Sequence, residues 1–444
     1  VTAKPLDLAG WGRTGRARVA AYRPERRLEA AEIAAGASAH SILARGAGRS
    51  YGDAAVNGGG AALLTERLDR ILADDGEVVA CEPGVTFRTL LEVLLPRGRM
   101  VPVSPGTAFA TVGGAVACDV HGKNHDVAGS FGDHVEWIDL ALASGETVRV
   151  SPREDPGLFA AAVGGLGLAG VILAVAFRTV RVPSDAMEVR ETRHGDLDAF
   201  MAALAEARRS DHAVGWIDAV ARGATLGRGV LQTARFAPAG APPMPASERR
   251  IRMPFDLPGF ALNRRTVGLF NELYFRRVPA GGRERRMPAA AFLYPLDAIL
   301  DWNRMYGRAG FHQFQCVVPD AQAGRGIPAL MEAVSASGAG SFLAVLKTLG
   351  AGGRGHLSFP MPGFTLALDV PAGGAAEELL PRLERITLDH GGRIYLAKDS
   401  RLSPEGFRRM HPRLPEFRAV LERVDPHARF QSDLSRRLCI REQT

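Results

Sequence analysis

Along the first 183 residues the hydrophobic positions come in short β-branched runs cut by glycine. "SILARG", "EVVACEPG", "ETVRVSP" and "GVILAVAFRTVRV" are such runs, and their flanking turn residues predict strands. Between them the period changes. In "TFRTLLEVLLPRG" (86–98) Leu90, Leu91, Leu94 and Leu95 recur at i, i+1, i+4 and i+5, which predicts a helix. From about residue 184 the texture shifts: "LDAFMAALAEARRSD" (197–211) predicts an amphipathic helix, "AVGWIDAVA" and "GRGVLQTARF" strands. The pattern lapses between 237 and 290, where prolines interrupt it and arginine alternates with Phe, Leu and Met. That stretch reads either as a long irregular surface loop or as a mobile basic lid touching an anionic, greasy partner. Ordered texture resumes with "FLYPLDAILDWNRMYG", "HQFQCVVPD" and "FTLALDVP". An α+β chain with a break near residue 184 is expected.

Composition narrows the picture. No run approaches eighteen apolar residues, so no transmembrane helix is expected, and "VTAKPLDLAGWGRTGRARV" lacks the apolar core of a signal peptide. Cys81, Cys118, Cys316 and Cys439 lie far apart without a CxxC pair. That argues against a disulfide framework or zinc site and for a reducing cytoplasm. The net charge of +7 and pI of about 9.6 suit an anionic partner: nucleic acid, a phosphorylated substrate or an acidic membrane face. Only four of the 55 basic residues are lysines: Lys4, Lys123, Lys347 and Lys398. A chain that uses arginine nearly everywhere keeps lysine where a compact ammonium with a tunable pKa is needed. Lys4 lies in a terminal segment; the other three mark candidate chemistry.

Three glycine-rich motifs follow. "GLGLAG" (165–170) has the GxGxxG form, but a helical run precedes it and a strand follows. A dinucleotide fingerprint needs the reverse order, so a tight helix-to-strand connection is expected. His121 and His125 have the spacing of a helical metal pair, yet Gly122 and Asn124 separate them and no HExxH glutamate is present, so no metal is expected. "ARGAGRSYGDAAVNGGG" (44–60) follows a strand and carries Arg45 and Arg49. Its successive N–H groups form a nest for phosphate oxygens or else a plain turn. With "VSPGTAFATVGGAVACDVHGKNHDVAGSFGDH" as a second such loop, an extended dinucleotide-like cofactor is favoured.

"RGAGRSYGD", "SPGTAFATVGGAVACDVHGKNHDVAGSFGDHV" and "GGLGLAGVI" resemble the FAD-binding half of vanillyl-alcohol-oxidase/PCMH-type flavoproteins. "HGKNH", "WNRMYGRAGFHQFQCVVP", "AKDSRLSPEGFRRMHPR" and "VDPHARFQSDLSRRL" resemble, within them, the decaprenylphosphoryl-β-D-ribose 2′-oxidase family. The resemblance runs nearly end to end and is weakest across 237–290. It implies a two-domain α+β protein. An FAD-binding domain (1–183, completed by 393–444) is split in sequence around an inserted α/β substrate domain (184–392) that carries the lid.

For FAD the resemblance implies contacts from Arg45, Gly46, Ala47, Gly48, Arg49, Ser50, Tyr51, Gly52 and Asn57 in the first loop. The second loop would add Gly106, Thr111, Val112, Gly113, Gly114, Cys118, Asp119, His121, Gly122, Asn124 and Ser130, with Ile172 and Tyr395 from elsewhere. Relatives that bind FAD covalently use a histidine in the first loop; Arg49 is among the residues here instead, which implies non-covalent FAD. Lys398 would stand beside the flavin and the reacting hydroxyl, with His121 and Tyr51 as further catalytic candidates. Lys123, Trp216, Tyr294, Gln313, Gln315, Lys347, Thr365 and Ala367 would line the substrate pocket. Thr365 and Ala367 depart from the family's asparagine and cysteine, so the thiol that nitroaromatic inhibitors capture is lacking.

The implied reaction is oxidation of the 2′-hydroxyl of a polyprenyl-phosphate-linked ribose to a ketone, which an NAD-dependent keto-reductase partner returns as arabinose. A cytoplasmic protein with peripheral contact at the inner membrane face follows, with no nucleic-acid partner. Two rivals remain: a soluble sugar or alditol oxidase using O₂, and a non-catalytic flavin-binding subunit.

Overall fold

The structure, a computed structural model, describes residues 2–244, 250–340 and 342–441. Lys4–Ala9 and Arg16–Tyr22 form an antiparallel pair, to which Ala61–Leu64 and Ile42–Arg45 add in parallel. Parallel neighbours cannot be joined by a tight hairpin. The connection 46–60 must therefore travel back along the strand, and it is this return path that the glycines occupy. A second, five-stranded antiparallel sheet has the order Ile71–Asp74, Val78–Cys81, Val171–Arg178, Val135–Ala141, Thr147–Val150. The chain's end packs back on the first sheet: Ile42 N–H donates to Arg429 O at 2.8 Å, and Arg437 pairs with Asp53 at 2.8 Å.

Residues 186–394 build one eight-stranded antiparallel sheet. Its order is Arg283–Pro288, Ala186–His194, Gly229–Phe236, His212–Ile217, Ala344–Leu349, Gly363–Pro371, Phe311–Pro319, Arg393–Ile394. The period of two sorts its side chains. Phe314, Cys316, Leu346, Leu366 and Leu368 are buried in the main core, together with Leu330, Met331, Leu379 and Leu383 of the helices Asp320–Ser337 and Gly374–Asp389. Each full burial of this kind contributes about 1.5–3 kcal/mol. Trp216, Gln313, Gln315, Val345, Lys347 and Ala367 point the other way and wall a cavity.

The stretch 237–290 is more ordered than its prolines predict. No proline falls between 259 and 278, and there a 13-residue helix, Arg264–Arg276, forms with Asn263 as its N-cap. Asn271, on its buried side, donates to Asp218 at 2.7 Å, and Glu272 pairs with Arg228 at 2.6 Å. Arg283–Pro288 pairs with Ala186–Glu191 as the sheet's edge strand. Residues 245–249 of the expected lid lie outside the described residues. "GLGLAG" joins the helix Pro156–Ala162 to the strand Val171–Arg178, the order its flanking patterns require. No helix among the described residues is long and apolar enough to cross a membrane.

Candidate active site

A cavity of about 1070 Å³ lies between the glycine loops and the large sheet. Ligand pockets commonly run to about 300–1,000 Å³, so the space suits an extended ligand beside a second one. One wall is backbone-rich: Arg45, Gly46, Ala47, Gly48, Arg49, Ser50 and Tyr51 meet Gly106, Thr111, Gly114, Cys118, His121 and Gly122 there. The first loop packs against its neighbours where a side chain is impossible. A Cβ on Gly46 would sit 2.3 Å from Thr111 Oγ1, and one on Gly52 would sit 1.9 Å from the Asp399 carbonyl oxygen. Tyr51 N–H donates to Ala397 O at 3.1 Å, which places Lys398 at the junction of loop and sheet.

The sheet wall and the loops beside it are polar. Lys123, Lys347 and Lys398, three of the four lysines, all line the cavity. The Lys347 amine donates to Gly122 O at 3.1 Å; Lys123 donates to Phe292 O and lies 4.4 Å from that ring's centre. The Lys398 amine stands 5.5 Å from the Tyr51 ring centre and makes no hydrogen bond to a described residue. Burial lowers all three: Lys123 to about 7, helped by Lys347; Lys347 to about 7, helped by Lys398; and Lys398 to about 8, opposed by Asp369. Burial and the charges of Lys347, His125 and Lys398 hold His121 well below its ordinary value, so it is neutral. Its Nε2 lies 3.0 Å from Gln315 Nε2, leaving Nδ1 without a partner among the described residues. Burial raises the Tyr51 phenol, keeping it protonated.

Decaprenylphosphoryl-beta-D-ribose oxidase of Mycolicibacterium smegmatis is 37% identical over 97% of this chain and 97% of its own length. The chain belongs to this oxidase family. A family model described as an FAD binding domain matches residues 19–151. An uncharacterized protein of Streptomyces coelicolor is 37% identical over 80% of the chain and its own full length. D-arabinono-1,4-lactone oxidase of Yarrowia lipolytica is 30% identical over 26% of the chain and 21% of its own length.

FAD is the cofactor of this oxidase, and the backbone-rich half of the cavity fits it. The Gly46–Ser50 loop leaves room for close approach of phosphate oxygens. Arg49 Nε and His121 Nδ1 are buried polar atoms without partners among the described residues, as expected of groups that face a ligand. The Arg49 guanidinium lies 4.3 Å from the Trp11 ring centre and 4.9 Å from that of Phe109.

Several expected contacts do not line the cavity. Gly52 packs on Asp399, Gly113 on Pro83, and Val112 and Ile172 belong to the core. Asn57 donates to Ala61 O at 3.0 Å, and Asn124 to Pro102 O at 2.8 Å. Asp119 is consumed by Gly132 N–H at 3.0 Å and by the Ser358 hydroxyl; Ser130 donates its N–H to Asp133 at 2.9 Å. These eight shape the loops from behind. Thr365 lies beneath Gln315 and meets its amide at 3.0 Å. Tyr294 is buried against Ser104, and Ser104 lines the cavity in its place. Arg45, though on the wall, spends its guanidinium on Ala55 O and Ala9 O at 2.7 and 2.8 Å.

His125 spends its Nδ1 elsewhere, accepting from Gly350 N–H at 3.0 Å, although its ring lies 6.2 Å from that of His121. Among the described residues no group of three His, Cys, Asp or Glu side chains is placed to hold a metal. Sequence reasoning missed Trp11, Phe109, Leu166, Gln232, Phe270 and Tyr274, all on the cavity wall. It also missed Asp369, whose sign was a carboxylate inside the alternating strand "FTLALDVP".

Proposed function

We propose that this oxidase converts the 2′-hydroxyl of a polyprenylphosphoryl-β-D-ribose to the 2′-ketone, the first half of an epimerisation to arabinose. A separate NAD-dependent keto-reductase completes the second half. The Mycolicibacterium relative is named for such a substrate. The observation that carries the reading is the cavity's mixed lining. Lysines and glutamines share it with the apolar Leu262, Val267, Phe270, Ile299 and Phe342 and with Arg250 and Arg252. The polar groups suit a sugar, the apolar ones a prenyl chain and the arginines its phosphate.

Bound FAD supplies the acceptor for the two electrons that leave the carbinol carbon. Lys398 holds the proton balance at the reacting oxygen. Charged, its amine stabilises the developing alkoxide; neutral, it takes the hydroxyl proton, and a value of about 8 makes both forms accessible near neutrality. Neutral His121 and protonated Tyr51 orient the ring without competing for that proton. FAD is held without a covalent bond, so acid precipitation releases it into the supernatant.

Outside the mouth, Ile251, Phe255, Phe260, Leu269 and Leu273 are exposed, Phe260 by 79%, among basic side chains. That surface supports peripheral contact with an anionic bilayer, from which a lipid-linked substrate is drawn. Anaerobic mixing with farnesylphosphoryl-ribose tests the reaction through the oxidised-flavin absorbance. Bleaching is expected. Fully FAD-loaded protein that does not bleach would overturn the reading, and peroxide production from free sugars would point to a soluble sugar oxidase.

A further inference from the structure

Gln313 and Asp369 face each other across the strands Phe311–Pro319 and Gly363–Pro371. Gln313 Nε2 donates to Asp369 Oδ1 at 2.6 Å, and the Tyr306 hydroxyl donates to Asp369 Oδ2 at 2.8 Å. Asp369 is fully buried and does not line the cavity, whereas Gln313 and Lys398 do. Burial raises the Asp369 carboxyl to about 7, against the hydrogen bonds from Gln313 and Tyr306 that lower it. Above that value it is a carboxylate, which only accepts hydrogen bonds, so the NH₂ end of the Gln313 amide is then the end that faces it. The amide oxygen is thereby left as a buried acceptor with no partner among the described residues. An unpartnered acceptor on a binding wall is a place for a ligand donor.

We propose that Asp369 is a positioning residue, which from behind the cavity wall turns the Gln313 carbonyl oxygen toward a substrate hydroxyl and keeps the Lys398 amine charged. The charged and titratable groups around Lys398 are few. Lys347 from the neighbouring strand, neutral His121 and the Tyr51 phenol supply no negative charge. Asp369 is the group that favours the ammonium there. One carboxylate thus sets two features of the sugar site. It presents an acceptor for a hydroxyl proton beside a cation for the oxygen that loses one, an arrangement matched to a vicinal diol of a sugar ring. The inference rests on the oxidase reading given above for the role of Lys398, though not for its charge.

The small number of lysines makes the test direct. Holoenzyme labelled with ¹³C at lysine Cε gives one signal for each of four lysines, and Lys398→Arg assigns the one of interest. In Asp369→Asn the titration midpoint of Lys398 is expected to move down by about one pH unit or more, as loss of a nearby opposite charge requires. The pH profile of flavin reduction is expected to move with it. A midpoint that stays in place in folded, FAD-loaded Asp369→Asn would overturn the proposal, since a merely structural role lowers thermal stability without moving a titration. Should that variant not fold, Tyr306→Phe decides. Losing the hydroxyl makes the carboxylate easier to protonate, so a smaller shift in the same direction is expected and no shift overturns. A shifted midpoint without bleaching by farnesylphosphoryl-ribose would leave Asp369 in its role and sink the substrate reading.

Discussion

Lys398 combines an amine without a hydrogen bond among the described residues with a value lowered to about 8, on a cavity wall next to Tyr51. Lys398→Ala is expected to retain FAD and slow anaerobic flavin reduction by about 10²–10⁴-fold, the range for removing a group that manages a proton in the transition state. Reduction at the normal rate in that variant would remove Lys398 from the chemistry. Ala367 offers a second test. It lines the cavity between Gln315 and Val345 and carries no thiol. Nitroaromatic inhibitors that work by capturing a cysteine are therefore expected to leave the protein unlabelled, while Ala367→Cys gains an adduct visible by intact mass. The lysines were legible in the sequence because arginine had displaced lysine elsewhere. Asp369 was not, because a single polar residue in an alternating strand reads as a solvent-facing position. Only the packing of Tyr306, Phe311 and Trp302 on its outer side closes it off from water.

At the scale of elements, the glycine loops were legible through their glycines and polar side chains near strand-like runs, and the mouth helix was not. Proline and arginine dominate 237–290 as a whole, and an average over that stretch hides the proline-free segment where Arg264–Arg276 forms. The helix is held through its C-terminal end as well as by Asn271. Glu191, fully buried, faces Arg277, Arg283 and Arg285 at 3.1, 2.5 and 3.3 Å, and accepts from Gln232 of the cavity wall at 2.6 Å. Glu191→Gln leaves three guanidinium groups around a neutral amide. Breaking a buried charge pair costs about 3–5 kcal/mol, less here because the arginines are partly exposed to solvent. A lower unfolding midpoint is expected, together with faster hydrogen exchange across 264–276 than across the strand Phe311–Pro319. Equal exchange in both segments would show that the helix is anchored elsewhere.

Over the whole molecule, the same lysines tie activity to stability. Lys123, Lys347 and Lys398 titrate at about 7, 7 and 8 when folded, against about 10.4 for a lysine in the unfolded chain. Between these values the unfolded chain binds more protons, so stability rises with pH. The cost of the three amines is fully present below about pH 7, where both states carry the charge, and it is relieved as pH climbs toward about 10. FAD-free protein is therefore expected to gain stability from pH 6.5 to 9 in urea titrations, and Lys347→Met to flatten that slope and stabilise the fold at neutral pH. A slope unchanged in Lys347→Met would mean that the amine is solvated in the folded state. Adding FAD raises the midpoint at every pH by simple linkage, about 2.7 kcal/mol at a hundred times the dissociation constant. The part of the slope carried by Lys347 should survive that addition, because that amine belongs to the strand Ala344–Leu349 of the large sheet, whereas Lys123 sits in the second glycine loop and Lys398 beside the first. Loss of that part on FAD binding would instead mean that the cofactor's own charge reaches Lys347, and the sugar site and the cofactor site would then titrate as one unit.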